Sequence, residues 1–155
     1  DSVGELSSNQ FRYSMLHRDR EEDILAYAAK HDIATLTYWS LEAGLLAGKV
    51  NLERVFEKND FRNYAAQWHP WYKKENIERL LDVFVKWSDI LNRHECTLSQ
   101  LVIAWTAAQP GASHVLCGAK TAAQSEQNAA AGSIVLEPDE IDRIRDDLNA
   151  LGDPI

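Results

Sequence analysis

Two stretches of this sequence combine residue types that could hold a charged, flat ligand. The first is Gly118-Ala119-Lys120-Thr121-Ala122-Ala123-Gln124-Ser125-Glu126-Gln127-Asn128. A short apolar run ends at Gly118, and Lys120 is followed at once by Thr121, a residue type that caps helix N-termini. Backbone N–H groups left free at a helix start favour an anion, and Lys120 adds a full positive charge. Gln124, Gln127 and Asn128 fall at helical spacing, so they project from one face and could offer amide donors and acceptors to a nucleotide. The same features also fit an ordinary capped helix with a solvated polar face.

The second stretch is Tyr38-Trp39-Ser40-Leu41-Glu42-Ala43-Gly44-Leu45-Leu46-Ala47-Gly48-Lys49. Aromatic residues at a strand end, then a small-residue turn and a lysine, could flank a flat ring and its phosphates. Tyr38 and Trp39 also fit as core aromatics at a strand-to-loop corner. Arg62 lies in a charged, aromatic stretch and could reach a phosphate from there or be solvated. His69 and His94 have no ligating partner at helical spacing, so no metal site is expected. Cys117 reads as a small hydrophobe at the end of a strand.

These residues need a scaffold. Residues 1–8 are polar and turn-like, and residues 6–13 suit a short strand. From Asp19 the pattern turns helical, with Ile24, Leu25, Tyr27 and Ala28 as an apolar stripe and acidic residues in the first turn. Residues 33–38 read as a strand, because β-branched residues and an aromatic follow a helix end. Residues 41–49 suit a tight turn plus one helical turn. Residues 51–73 show no sustained period and read as a long loop, a place where function often resides. Residues 74–94 form one amphipathic helix, with Ile77, Leu80, Leu81, Phe84, Val85, Ile90 and Leu91 at helical spacing. Thr97 caps the next, residues 98–108, whose Leu101, Val102, Ala104 and Trp105 face the core. Residues 114–117 are a short buried strand, Thr121 starts a helix reaching about Ala131, and Pro138 opens a last one with Ile141, Ile144 and Leu148 inward. Alternating strands and helices imply an α/β fold with parallel strands and right-handed crossovers.

Composition narrows the function classes. With 24 acidic against 16 basic residues, the net charge of −8 disfavours a generic nucleic-acid surface. The longest uncharged stretch, residues 96–119, carries Gln100, Gln109, Pro110, Ser113 and His114 and does not read as a membrane span. Two cysteines are too few for a disulfide scaffold, and no secretory signal is visible. A cytoplasmic protein of one unit, 155 residues long, is the expectation.

Together the two stretches resemble the C-terminal half of an aldo-keto reductase, over residues 4–151. The pieces stand in the family's order: Gln10-Phe11-Arg12-Tyr13-Ser14-Met15-Leu16-His17-Arg18, then residues 38–49, then Thr97-Leu98-Ser99-Gln100-Leu101-Val102-Ile103-Ala104-Trp105, then residues 118–128. The resemblance implies strands six to eight, with their helices, of a (β/α)8 barrel that binds NADPH across the C-terminal ends of its strands. It places Gln10 at the nicotinamide carboxamide and Tyr38 as the ring stacked on the nicotinamide. Trp39, Ser40, Leu41 and Gly44 line the pyrophosphate, with Lys49 beyond it. Gly118, Lys120 and Thr121 meet the adenosine 2′-phosphate, while Gln124, Gln127 and Asn128 read that phosphate and the adenine. A cation at Lys120 favours NADPH over NADH.

Trp39-Ser40 stands where members often have Ser-Pro, Phe11-Arg12 replaces proline-rich variants of the first strand, and Gln127 stands where Glu is commoner. The family's catalytic Asp, Tyr, Lys and His have no counterpart here, so no catalytic residue is assigned. Tyr13 and His17 are not promoted to that role. The resemblance implies reduction of an aldehyde or ketone, with this chain supplying the cofactor cradle and a tyrosine elsewhere supplying the proton. The chain then belongs to a longer reductase, or pairs as a half-barrel with a missing half or with itself, or is a non-catalytic nucleotide-binding remnant. A three-strand partial barrel is also expected to expose apolar edges.

Overall fold

A computed structural model describes residues 4–155; of the polar opening, residues 1–3 lie outside the described residues. Three strands form one parallel sheet in chain order: β1 (Ser8–Arg12), β2 (Ala34–Tyr38) and β3 (His114–Val115). The register sets Gln10 opposite Leu36 and Arg12 opposite Tyr38, and Leu36 in turn opposite His114. All three strands therefore end along one edge.

Residues directly opposite one another share a sheet face, and the two faces differ sharply. Phe11, Thr35 and Thr37 are buried. Thr35 and Thr37 are β-branched but polar, and each hydroxyl is used: Thr35 Oγ1 donates to the Gly111 carbonyl at 2.6 Å and Thr37 Oγ1 to the His114 carbonyl at 3.2 Å. Gly111 is required here. Its φ of 84° is left-handed, and a Cβ would collide with the Leu25 carbonyl. The opposite face carries Gln10, Tyr38 and His114, all exposed.

Among the described residues six helices supply the packing: α1 (Ala26–Lys30), α2 (Lys74–Lys86), α3 (Ser88–Arg93), α4 (Leu98–Ala107), α5 (Ala122–Ala130) and α6 (Pro138–Leu151). A turn of π-helix, Glu21–Leu25, leads directly into α1. Thr97 caps α4 as expected, in a reciprocal box with Gln100, and Pro138 opens α6. The main core joins Trp87, Ile90, Leu101, Trp105, Ile144 and Leu148 from α3, α4, α6 and the α2–α3 junction. Trp87 and Trp105 are fully buried, and truncation of either to alanine costs roughly 3–5 kcal/mol on general grounds. A second cluster seats Leu45 and Val50 of the turn region on Trp71, Tyr72, Ile77 and Leu80.

Four expectations need correction. Residues 74–94 are two helices, not one, broken at Trp87. Ser88 Oγ donates to the Val85 carbonyl at 2.5 Å and Arg143 Nη2 takes the Lys86 carbonyl, so side chains claim acceptors the helix needs. The Trp87 indole meanwhile donates to Asp147 at 2.9 Å, fixing the break. Residues 114–117 are not a buried strand: the strand covers only His114–Val115, and His114 and Leu116 are exposed because they lie on the open side of the sheet. Cys117 is half-buried, which pushes its thiol up to about 11. Tyr27 leaves the apolar stripe and stacks on His31 at the surface, at 4.1 Å between centroids. Finally, residues 51–73 are not structureless. They contain 3-10 turns at Phe61–Gln67, capped by Asp60, and at Pro70–Tyr72.

Candidate functional site

The candidate residues gather along the edge where the parallel strands end. Gln10 is exposed on β1, and Tyr38 closes β2 with 39% of its surface accessible. Directly after it the backbone turns left-handed at Trp39 (φ 61°), Glu42 (46°), Ala43 (54°) and Gly44 (94°). Each non-glycine residue in that region costs of order 1–3 kcal/mol and persists only where its surroundings hold it. Ser40 is buried, its hydroxyl turned back to the Thr37 carbonyl at 3.3 Å. The Leu41 carbonyl accepts from the N–H groups of Gly44 (2.8 Å) and Leu46 (3.2 Å).

What holds this turn is Glu42, a carboxylate with no exposed side-chain surface. Ser14 Oγ donates to its Oε1 at 2.5 Å, while Arg12 Nη2 (2.6 Å) and His69 Nε2 (2.7 Å) donate to its Oε2. Burial works against the charge, but the hydrogen bonds from His69, Arg12 and Ser14 outweigh it and hold the carboxyl below its ordinary range. Trp39 packs on the same partners. Its ring lies 4.7 Å from the Arg12 guanidinium carbon and stacks on His69 at 6.0 Å with a 12° interplanar angle. Tyr72 OH donates to the Ala43 carbonyl at 3.1 Å, and burial pushes that phenol up to about 12.

Arg62 approaches from the 3-10 turn of residues 61–67. Asp60 accepts from its Nε at 2.8 Å and Nη2 at 2.5 Å, while Nη1 lies where a Cβ on Gly44 would come within 3.2 Å. Those hydrogen bonds hold the Asp60 carboxyl well below the usual range, and the charge of Lys120 acts in the same direction.

Beyond β3, Leu116 N–H donates to the Thr37 carbonyl at 2.8 Å, and the chain runs on to the start of α5. Gly118, Lys120 and Thr121 are exposed. Thr121 caps the helix through Gln124 N–H at 3.2 Å, and the Gln124 carbonyl oxygen Oε1 accepts from Lys120 N–H at 2.7 Å. Asn128 Nδ2 reaches back to the Gly118 carbonyl at 3.4 Å, and the Gln127 backbone carbonyl accepts from Gln100. Lys49 stands apart: it is exposed beyond Gly48, and its carbonyl accepts from Arg54 at 2.9 Å.

The structure thus joins Gln10 and residues 38–44 at one end and residues 118–128 at the other. The residues that bind the first end together, Arg12, Ser14, Glu42 and His69, had no assigned role in the sequence. One signal was available: a charged Glu42 inside the run Leu41 to Ala47, where any burial demands a partner. Tyr13 is buried with its hydroxyl donated to Glu21 at 2.6 Å, and burial raises its pKa further, so it is no proton donor for a ligand. His17 pairs with Asp19 at 3.0 Å and His94 with Glu140 at 2.8 Å. No helix among the described residues is long and apolar enough to cross a membrane.

The sequence-family model described as the aldo/keto reductase family matches residues 2–148. The chain is 30% identical over 148 residues to a protein of Escherichia coli named NADH-specific methylglyoxal reductase, covering 96% of this chain and 44% of the relative. It is 35% identical over 127 residues to the aldo-keto reductase YhdN of Bacillus subtilis, covering 81% of this chain and 37% of that one. Among solved structures, the glycerol dehydrogenase AKR11B4 of Gluconobacter oxydans superposes with a TM-score of 0.85 at 27% identity, over 99% of this chain and 46% of its own. The chain spans less than half the length of these relatives.

Proposed function

We propose a function from one premise: the chain belongs to the aldo/keto reductase family. It forms strands six to eight of a (β/α)8 barrel and supplies the nicotinamide-cofactor cradle of a cytoplasmic enzyme that reduces small aldehydes or ketones. The observation that carries this reading is the gathering of the cofactor candidates along the C-terminal ends of three parallel strands, where barrel enzymes bind their ligands. The open sheet face, with Gln10, Tyr38 and His114, supports a barrel interior completed by further strands, from the rest of a longer chain, a separate half or a second copy.

The residues present fit the cofactor. Tyr38 and Gln10 lie on the same open face of the β1–β2 pair, two register positions apart, and the left-handed turn at Ala43-Gly44 brings backbone close under Arg62, where a side chain would crowd. Lys120 and the capped start of α5 offer charge and N–H groups to a phosphate. When bound, the cofactor supplies a hydride. The chain's own part is to bind and orient it: Gln10, Tyr38, Trp39, Leu41 and Gly44 hold the nicotinamide and pyrophosphate, with Lys49 beyond, while Ser40, buried and bonded back to Thr37, shapes the turn instead of meeting the ligand. Gly118, Lys120, Thr121, Gln124, Gln127 and Asn128 take the adenosine 2′-phosphate and adenine. The general acid lies outside this chain.

Lys120 argues for NADPH, whereas the Escherichia coli relative is named NADH-specific, so the choice is tested directly. NADPH and NADH titrated into the natural protein by nucleotide fluorescence should show tighter NADPH binding, and Lys120→Glu should abolish the preference. Equal affinities in both proteins would reject the 2′-phosphate assignment. The 155-residue chain alone should show no NADPH-dependent reduction of a generic aldehyde.

A further inference from the structure

We propose that Glu42 is a positioning residue for the nicotinamide end of the cofactor site, acting through Arg12, Ser14 and His69 on Trp39 and the left-handed turn. This rests on the cofactor reading above.

The carboxylate joins three separate pieces of chain. Arg12 and Ser14 belong to the end of β1 and the bend after it, Glu42 to the turn after β2, and His69 to the loop before α2. Those partners stand 30, 28 and 27 residues away in sequence. A buried charge with three donors is a rigid node, because losing any one donor leaves part of the buried carboxylate unsatisfied. Two of the three donors also carry the Trp39 ring, Arg12 against it and His69 stacked on it. Glu42 and Trp39 are themselves in left-handed backbone, held at a cost that a purely structural turn of glycines would avoid. Among the described residues Arg12 Nε is buried without a partner, so the guanidinium is aimed by Glu42 at the expense of its own hydrogen bonding.

The consequence is local. Tyr38, opposite Arg12 in the sheet, and Trp39 after it form the exposed aromatic wall at this end of the edge. Glu42 fixes where that wall stands. Among the described residues, those at the α5 end make no hydrogen bond to this node; they are held by their own caps and by Gln100.

The test separates the two ends. The natural protein and its Glu42→Gln variant are titrated with NADPH, which spans both, and with 2′,5′-ADP, which has the adenosine end and no nicotinamide. Glu42→Gln should weaken NADPH by about tenfold, the scale of a lost preorganised contact. Binding of 2′,5′-ADP should stay within about twofold, as expected for a distant independent site. Unchanged NADPH affinity, or equal weakening of both compounds, overturns the proposal. If Glu42→Gln does not fold, His69→Phe keeps the ring beside Trp39 but removes one donor, and the same split between compounds is required of it. Failure of the unmodified protein to bind either compound overturns the cofactor reading itself.

Discussion

The two ends of the strand edge are built by opposite strategies. At the turn after β2 a buried carboxylate, an arginine, a histidine ring, a serine hydroxyl and stacked aromatics hold a strained backbone, and the contacts come from three distant parts of the chain. At the start of α5 the groups are exposed, and every hydrogen bond made by Lys120, Thr121 and Gln124 falls within four residues. The first end is preorganised at the expense of desolvated charge. The second keeps its charge solvated and free for a ligand. A flat, uncharged ring needs a wall already in place, because dispersion and stacking fall away steeply with distance. A phosphate can be held by a flexible cation and a helix start, because charge acts over longer range.

The sharpest way to break this contrast is Glu42→Leu. It removes the acceptor and leaves the His69 donor buried, with Arg12 half-buried beside it. Breaking a buried pair from one side is strongly destabilising, and a loss of about 3 kcal/mol in urea-unfolding free energy is expected. A loss below about 1 kcal/mol would place the node among ordinary surface pairs and erase the distinction between the ends.

Acid should expose the same difference more gently. The folded-state pKa of Glu42 lies below its ordinary value of 4.5, so its contribution is present above that pH and is lost as pH falls through the folded value. Stability of the wild-type protein minus that of Glu42→Gln should therefore shrink on going from neutral pH to about pH 3. Glu140 and Asp89 are also depressed, by hydrogen bonds to partners of their own, but they are common to both proteins and cancel in the difference. A difference that stays constant with pH would mean that the charge of Glu42 is not what the node uses.

How far each end was legible in the sequence follows from the same contrast. Thr121 and Thr97 announce their helices because a cap and its target lie three residues apart. The strand pattern at Ala34–Tyr38 and the inward face of α6 were readable for the same reason: period and burial are local signals. Glu42 was not, since its partners are set by tertiary pairing of β1 with β2 and by the loop that brings His69 over them. The break at Trp87 was hidden likewise, because Asp147 and Arg143 come from α6. Apolar spacing continues through residues 74–94 without marking it. The exposure of β3 escaped because apolar residues on an open sheet face look, in sequence, like residues of a covered one.

The smallest expected effect belongs to Lys120→Ala, and it is informative because it is small. The side chain is exposed, and the cap on α5 uses the Lys120 backbone N–H, which alanine retains. Its charge is felt by Asp60, but Asp60 is already held by three bonds from Arg62, one from its backbone N–H and two from its side chain. Unfolding free energy should therefore change by no more than about 0.5 kcal/mol, the usual range for a surface substitution. A larger loss would show that Lys120 ties α5 to the Asp60 loop as a structural strut. The α5 end would then be preorganised as well, and the contrast with the Glu42 node would fall.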